Sequence, residues 1–381
     1  MLKPNFHKKS KLHTSVNDLR FIFILLSRYP TKKAYGVTTR YSAKALKDLN
    51  YQTKIVTPFS YKPENSEVDI EIIGNRVARF LLKWNFNTCV KFRFNSFLLI
   101  YTLLVRKKYN DVNNVLWCRD IMFTFILSFV SKNRFVCEIH RSPLKLQKIL
   151  FRILLKRQNV IIAPISNFLD NGFIPHPSRF VYAPMSVNDS DLEFFNSYKM
   201  VREERIIYVG NSSSGGIDLN CNLLNEVAFR VFHDHPEWTI DIVGTSKEVF
   251  VKKIRRPLAS NIRIIGVVDR ENIPEYLAKS KVGLVIYPNL EWFHDSFPIK
   301  IVEYAAAGLG IVASDTVSHR RILNESLAVF FNVESVVSLS NQINRLIENS
   351  DQLEALSNNA TAWVKQFTYR SRVENILNKL I

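Results

Sequence analysis

The chain has 381 residues, 47% of them hydrophobic, and a formal net charge of +18. This length suits two domains of ordinary size, and the hydrophobic content excludes wholesale disorder. The charge is uneven: residues 1–190 hold 31 Lys and Arg against 11 Asp and Glu, a net of +20, whereas the rest of the chain nets −2. Such a basic half attracts an anionic partner, whether a phospholipid surface, a polyphosphate or nucleic acid. No recognised nucleic-acid-binding motif is present, which argues against the last of these.

The apolar runs are too short to cross a membrane. Residues 21–26 follow a basic leader, but Arg28 ends the run too early for a secretion signal. Residues 97–105 and 121–130 reach about half of the roughly 20 residues that a spanning helix needs. The cysteines lack the spacing of metal ligands and lie in apolar surroundings, so we expect reduced core residues and a cytoplasmic protein. They are Cys89, Cys118, Cys137 and Cys221.

The first elements follow the order of a doubly wound unit: strand, glycine loop, helix, strand. Residues 21–27 form an apolar run, Gly36 follows it, a helical pattern extends to Leu49, and residues 53–57 form a second apolar run. Units built in this order bind phosphate groups at the glycine loop. A lone glycine can also merely permit a turn. The position of Gly36 between strand and helix favours a binding role.

Residues 79–108 interleave basic residues with aromatic and aliphatic ones at helical intervals. Such a surface can lie in a bilayer interface, with apolar side chains inserted and Lys and Arg on anionic head groups. The alternative is an ordinary helix packed on a sheet with solvated charges. The charge asymmetry of the chain favours the membrane interpretation, and residues 144–157 form a second basic amphipathic pattern.

Two further apolar runs end in polar residues. The first ends with Arg119 and Asp120, and the second ends with His140, which Arg141 follows. Because the carboxyl ends of parallel strands share one edge of a sheet, we expect these side chains to line one wall of a cleft. A lone histidine is more often structural, but a place at the end of a strand favours function for His140.

The acidic and polar residues 189–203 are typical of a linker, which places a first domain at 1–188 and a second at 204–366. The second domain opens with a strand that runs through Gly210 into a turn rich in Gly and Ser, an arrangement that cradles phosphate. Its later apolar runs lack alternation, as in a parallel sheet covered on both faces. These runs are residues 239–244, 262–268 and 282–288.

The stretch Asp295-Ser-Phe-Pro-Ile-Lys-Ile-Val-Glu303 predicts a polar loop that leads into a short helix. We expect Pro298 in the first helical turn, with Asp295 or the following serine as the cap, and Gly308 at the end of the helix. The loop brings Asp295, Lys300 and the helix N-terminus to the rim of a sheet, where α/β proteins bind anionic ligands. A capped helix with a solvated Glu303 is the alternative.

This stretch resembles the nucleotide-sugar signature of retaining glycosyltransferases of the GT-B fold, specifically glycosyltransferase family four. In that family a glutamate, seven residues and a second glutamate lead into a helix and a strand. Asp295 takes the first place here and Glu303 the second. The resemblance implies an α/β protein with two Rossmann-like, doubly wound domains that face each other across a cleft. It also implies that residues 367–381 form a terminal helix that crosses back to the first domain.

The resemblance implies roles for residues on both sides of the cleft. We expect His140, Asp295 and Lys300 to be the catalytic residues, and Glu303 to bind the ribose of the donor. The other donor contacts are expected at Gly36, Gly210, Gly216, Val267, Phe297, Pro298 and Ile299, and the acceptor contacts at Arg119, Asp120 and Arg141. Family members place Lys or Arg in the turn before Gly216, where this chain has no cation. That charge then falls to Lys300, Arg40 or another base of the first domain.

We therefore expect a retaining glycosyltransferase that moves a sugar from a UDP- or GDP-linked donor to a saccharide acceptor, without an obligatory metal. The basic, aromatic-rich first domain favours a lipid-linked acceptor at the inner face of the cell membrane, in the assembly of bacterial surface polysaccharide or lipopolysaccharide. Two alternatives stay open. One is a GT-B protein that binds a nucleotide sugar or a partner transferase without catalysis, favoured by the missing cation and by Asp295. The other is a nucleotide-sugar epimerase of the same architecture.

Overall fold

The computed structural model describes residues 18–27, 29, 31, 34–59, 67–74, 90–143, 145–166, 179–198, 201–211, 213–214, 217–218 and 220–380. The predictions made for Gly216, for Cys89 and for the rest of residues 79–89 lie outside these ranges. The thiols of Cys118, Cys137 and Cys221 are reduced and buried, as expected.

The first half of the described chain forms a parallel sheet of six strands. They are β1 (Arg20–Ile24), β2 (Gln52–Thr57), β3 (Asp69–Ile72), β4 (Asn114–Cys118), β5 (Arg134–Ile139) and β6 (Val160–Pro164). Their order in the sheet is β3-β2-β1-β4-β5-β6. Strands β4 and β6 are buried along their whole length because helices cover both faces, which explains why their sequences are apolar without alternation.

The second half repeats this architecture. Its strands are β7 (Arg205–Val209), a short hairpin of β8 (Ser213–Ser214) and β9 (Ile217–Asp218), then β10 (Thr239–Val243), β11 (Ile262–Gly266), β12 (Val282–Val285), β13 (Gly310–Ser314) and β14 (Ala328–Phe331). The order in the second six-stranded sheet is β11-β10-β7-β12-β13-β14, and all of its pairs are parallel. The predicted pair of doubly wound sheets is therefore confirmed.

Helices cover the two faces of each sheet. In the first half they are α1 (Ala34–Asp48), α2 (Val90–Tyr109), α3 (Ile121–Val130) and α4 (Lys145–Leu154), followed by α5 (Asp189–Ser197). In the second half they are α6 (Cys221–Asp234), α7 (Lys247–Val251), α8 (Ile273–Ala278), α9 (Ile299–Ala306), α10 (Val317–Arg320), α11 (Val336–Glu348), α12 (Ser350–Val364) and α13 (Tyr369–Leu380). The last of these, α13, packs against α1 and β6 of the first sheet, and its Tyr369 and Val373 belong to that sheet's core.

The segment 189–203, which the sequence predicts as the linker, begins with α5, and Asp189 and Asp191 are favourably placed at the helix N-terminus. Two local predictions were wrong. Gly36 is not in a loop but in the first turn of α1. Pro298 is the cap of α9 rather than its first residue, and neither Asp295 nor Ser296 caps the helix.

The end of α9 agrees with the sequence pattern. Its C-cap is Ala307, and Gly308 follows with a φ of +64°, the left-handed conformation that a glycine adopts without strain. Arg202 donates hydrogen bonds to the carbonyls of Ala307 and Ser280, at 2.5 and 2.9 Å. The segment after α5 is thereby fixed to the second sheet.

Candidate active site

The two sheets bring their carboxyl edges to a common cleft. In a sheet of this strand order, ligands bind outside the carboxyl ends where the order reverses, here between β1 and β4 and between β7 and β12. Arg119 directly follows β4, His140 follows β5 and Gly210 follows β7. The backbone N–H of Ser142 donates to Asp295 Oδ2 at 3.0 Å, so loops of the two halves meet at this edge.

Three glycines lie where neighbouring strands of the second sheet end at the cleft. Gly210, Gly244 and Gly266 lie at the carboxyl ends of the neighbouring strands β7, β10 and β11. Gly244 has a φ of +100°, and a Cβ built on it would lie 2.9 Å from the carbonyl oxygen of Gly210. A side chain at position 244 is therefore excluded both by conformation and by space. The strand ends stay open to an approaching ligand.

Lys300 lies close to Gly210 and belongs to the first turn of α9. Its side chain is buried, and a Cβ built on Gly210 would lie 3.0 Å from its Nζ atom. The ammonium lies 4.4 Å from the centre of the Tyr208 ring and 5.3 Å from that of Tyr287. Burial lowers the pKa of Lys300 to about 8, against the opposing attraction of Glu303. No carboxylate of the described residues forms an ion pair with it, so its charge remains available to an anion.

Glu303 is not solvated. It is 2% exposed, and one of its oxygens accepts a hydrogen bond from the guanidinium of Arg270. The pKa of Arg270 is raised because the attraction of Glu303 outweighs the effect of burial, so the pair stays ionic. Arg270 lies in the turn after β11. Its positive charge also opposes the rise that burial causes in the pKa of Asp191 on α5. The predicted alternative of a solvated Glu303 is thus wrong.

Asp295 bridges the two halves of the molecule. Its second partner is Arg321, whose guanidinium lies 3.4 Å from Asp295 Oδ1. Each carboxylate oxygen therefore has one donor, which leaves further lone pairs for a ligand hydroxyl. This contact takes the place of the helix cap that the sequence predicts for Asp295. Ser296 instead donates to the carbonyl of Phe293 at 2.7 Å.

His140 lies against a buried carboxylate that the sequence analysis missed. Its Nε2 atom contacts Oε1 of Glu138, and its side chain is 22% exposed. Burial lowers the pKa of His140 to about 4, helped by the charge of Arg119 and opposed by Glu138. The imidazole is therefore neutral at physiological pH, and it remains accessible from the cleft.

The three predicted acceptor residues have different environments. Arg119 Nε lies 3.9 Å from Glu138, its guanidinium lies 5.7 Å from the centre of the Tyr35 ring, and burial lowers its pKa. Asp120 is the cap of α3 and accepts from the N–H of Phe123 at 2.7 Å, which gives it a structural function. Arg141 is exposed in the loop after His140.

The remaining predicted donor residues lie in three segments: α1, the start of α9 and the turn after β11. Gly36 is the third residue of α1, so its N–H has no hydrogen-bond partner within the helix. Phe297 and Pro298 are buried, and Ile299 packs against the cores of both halves. Val267 is 66% exposed just after β11.

Sequence reasoning missed three charged residues of the site: Glu138, Arg270 and Arg372. Arg372 is 2% exposed and ion-pairs with Glu138 at 2.8 Å, although 234 residues separate them in the chain. One signal was present, because a glutamate inside an apolar strand, as in Phe135-Val-Cys-Glu-Ile139, needs a buried partner. The sequence does not say which cation that partner is.

Residues 203–349 match the sequence profile of the family described as Glycosyl transferases group 1. This segment holds β7 to β14 together with Lys300 and Glu303. The second sheet and the helices around it therefore resemble a group 1 glycosyltransferase domain. The predicted enzyme class, a glycosyltransferase, is therefore confirmed. No curated protein sequence matches the chain.

The complete chain resembles solved glycosyltransferase structures. A glycosyltransferase from Rickettsia africae is 15% identical with a TM-score of 0.68, over 95% of this chain and 98% of that chain. Anabaena HepE in complex with UDP-glucose is 14% identical with a TM-score of 0.64, over 95% and 99%. Staphylococcus aureus TarM, a mutant in complex with fondaparinux, alpha-GlcNAc-glycerol and UDP, is 12% identical with a TM-score of 0.69, over 95% and 100%. These likenesses confirm the GT-B fold.

The described residues contain no helix that is both long enough and apolar enough to traverse a bilayer. They also contain no group of three or more His, Cys, Asp or Glu side chains arranged to hold a metal ion. An Asp-x-Asp triplet, Asp189-Ser-Asp191, lies in the first turn of α5, where Asp191 faces Arg270.

Proposed function

We propose that this glycosyltransferase moves a sugar from a nucleoside diphosphate donor to a saccharide hydroxyl, with retention of the anomeric configuration and without an obligatory metal. The observation that carries the proposal is the contact between Asp295 and the loop after His140, together with the buried ammonium of Lys300 next to Gly210 at the end of β7. The cleft therefore offers hydroxyl-binding groups from both halves and a cation from the second half. The UDP and UDP-sugar complexes of HepE and TarM support a donor of this class.

In the proposed reaction the bond between the anomeric carbon and the diphosphate oxygen breaks, and the acceptor oxygen bonds to the same face of that carbon. The acceptor proton passes to the departing diphosphate. Negative charge therefore grows on the diphosphate, and Lys300 and the N-terminus of α9 stabilise it. Asp295 and His140 hold sugar hydroxyls, and Glu303, held by Arg270, binds the ribose.

Donor binding is the direct test. Thermal shifts with a panel of UDP- and GDP-sugars measure it, because a ligand that binds the folded state raises the melting temperature. We expect at least one donor to raise the melting temperature of the parent, and to raise that of Glu303→Ala and Lys300→Ala less. Turnover by these two variants at the parent rate would contradict the proposed site. Donor binding without turnover by the parent would favour the non-catalytic alternative, and product formed without an acceptor would favour the epimerase.

We propose a lipid-linked acceptor at an anionic membrane surface, as in surface polysaccharide assembly. Helices α2, α3 and α4 cover one face of the first sheet, opposite α1 and α13. Apolar side chains project from this layer into solvent: Leu99, Leu103, Phe129 and Ile149 are each more than half exposed. On α4, the exposed Arg152 shares a helical face with Ile149, and the exposed Lys156 lies in the turn that follows the helix. Exposed apolar groups between basic ones match a phospholipid interface.

Flotation with vesicles that contain phosphatidylglycerol tests this surface. We expect the parent to float at low salt and the double variant Leu103→Glu with Ile149→Glu to remain in the dense fraction. Val249→Glu is the matched control, since Val249 is 41% exposed on α7 of the second half. Absence of the parent from the floating fraction at low salt, or equal loss in the control, would contradict membrane binding.

A further inference from the structure

Glu138 is a carboxylate buried in the middle of a parallel sheet. It is 3% exposed, and it lies two residues before His140, so both side chains project from the same face of the sheet. An ionised carboxylate at such a place is stable only if several donors surround it. The surroundings of Glu138 supply them from three separate parts of the chain.

Two groups approach the Oε2 atom. Arg372 of the terminal helix α13 forms an ion pair with it at 2.8 Å, and the indole N–H of Trp117 on β4 donates a hydrogen bond to it at 2.9 Å. Arg372 is itself held, because it donates to Ser42 Oγ at 2.7 Å and to the carbonyl of Pro184 at 3.1 Å. Guanidinium and indole groups can only donate hydrogen bonds. Glu138 is therefore an acceptor, and its pKa lies well below the ordinary carboxyl range because the charge of Arg372 outweighs the effect of burial.

The Oε1 atom then decides the tautomer of His140. It contacts Nε2 of the imidazole, and an ionised carboxylate has no proton to give. The proton of the neutral ring must consequently lie on Nε2. The other ring nitrogen, Nδ1, keeps its lone pair, and no described residue donates to it.

We propose that Glu138, held by Arg372, is a positioning residue that fixes His140 as a neutral hydrogen-bond acceptor, with Nδ1 presented to a sugar hydroxyl. The inference rests on the proposed function, because it assigns the group that His140 receives. A hydroxyl that donates to Nδ1 has its own lone pairs directed away from the ring. The terminal helix thereby takes part in the geometry of the site, although it contributes no residue that contacts the sugar.

The tautomer can be read without any substrate. In the ¹⁵N spectrum of the parent at neutral pH, with His140→Ala for assignment, we expect a protonated Nε2 and an unprotonated Nδ1 at His140. In Glu138→Gln the side-chain amide can donate as well as accept, so we expect a mixture of tautomers. A parent spectrum with the proton on Nδ1 would overturn the proposal, whatever the activity of the enzyme.

A double-mutant cycle with UDP-glucose as the first donor probe tests the effect on turnover. We expect Glu138→Gln to lower kcat at least about 10-fold with a donor KM within about 3-fold, and to have less than about a 2-fold effect in the His140→Ala background. Asp241→Asn is the control, because Asp241 is a fully buried carboxylate paired with Arg205 and Arg263 away from the cleft. It should lower the melting temperature and leave kcat unchanged.

Losses from Glu138→Gln and His140→Ala that multiply, or a loss of kcat in Asp241→Asn equal to that in Glu138→Gln, would show a purely structural carboxylate and overturn the inference. A parent that transfers no sugar from any donor of the panel would instead overturn the proposed function. The nitrogen shifts of His140 would still decide whether Glu138 sets its tautomer.

Discussion

The two halves of the molecule have the same strand order, yet they present different chemistry to the cleft. The second half holds a buried ammonium, that of Lys300, against two aromatic rings. The first half holds a neutral imidazole, that of His140, against a carboxylate whose charge Arg372 balances. The shared topology thus sets where a ligand binds, whereas the partners packed against each side chain set its charge. We infer that Lys300 receives the diphosphate, whereas His140 and Asp295 receive sugar hydroxyls.

The largest expected effect comes from removing the cation of Lys300. Lys300→Met removes the cation while keeping an apolar chain of similar length, and we expect kcat/KM for the donor to fall about 100-fold or more, as for the loss of a transition-state donor. The pKa of Lys300 is lower in the folded than in the unfolded protein, so its charge opposes folding at neutral pH. Chemical denaturation should therefore show an unfolding free energy of Lys300→Met raised by on the order of 2 kcal/mol. A variant that is both destabilised and fully active would contradict the assignment.

The second-largest effect is expected at Asp295, which joins the two halves. Asp295→Ala removes the acceptor for the Ser142 N–H and a binding group for the sugar, and we expect about a 30-fold loss of kcat/KM, typical of a hydrogen bond to a charged group. Asp295→Asn keeps one acceptor oxygen and should lose less. Steady-state kinetics on both variants check this order, and an alanine variant that is more active than the asparagine variant would reverse it.

The pH profile distinguishes the two halves. Lys300 is charged in the free enzyme below about pH 8 and loses its proton as the pH rises through that value. We expect kcat/KM to fall about tenfold per pH unit above it. His140 contributes no limb near neutrality, because it stays neutral above about pH 4. Lys300→Arg should lack the alkaline limb, since a guanidinium stays charged; an unchanged limb in this variant would assign it to another group.

The smallest effect is expected at the exposed ion pair between Arg40 and Glu271. Arg40 and Glu271 form an ion pair of 2.7 Å between the halves, but their side chains are 41% and 58% exposed. Such pairs contribute about 1 kcal/mol or less, so Arg40→Gln should change donor KM less than about 5-fold. A larger rise in KM would identify Arg40, rather than Lys300 alone, as a cation for the diphosphate.

The sequence predicted those parts of the fold and site that depend on neighbours in the chain. The strands before His140 and Gly210 were recognisable because a strand in a covered parallel sheet is apolar throughout. Lys300 was singled out because the loop before α9 leads to the rim of the sheet, and Glu303 because its spacing from Asp295 resembles the nucleotide-sugar signature of the family. Gly308 was found because a helix that ends in the left-handed conformation favours glycine.

The rest depends on contacts between distant segments. No local pattern shows that Glu303 meets Arg270 or that Glu138 meets Arg372, since each pair forms only when elements from different parts of the chain pack together. The cap of α9 was misassigned for a similar reason: Asp295 binds the backbone of Ser142, 153 residues earlier, in preference to its own helix. The place of Gly36 was missed because a helix boundary shifts by a residue or two without any change in pattern.

The position of α13 also bears on the order in which the protein is built during translation. Tyr369, Val373 and Ile376 fill the core of the first sheet, and Arg372 balances the charge of Glu138 within it. A nascent chain that has emerged only as far as β6 has one side of its first sheet covered by α1 alone, with an unbalanced carboxylate inside the sheet. The earlier half of the polypeptide is thus the later one to mature, and His140 acquires its final surroundings only when residues 369–380 have left the ribosome.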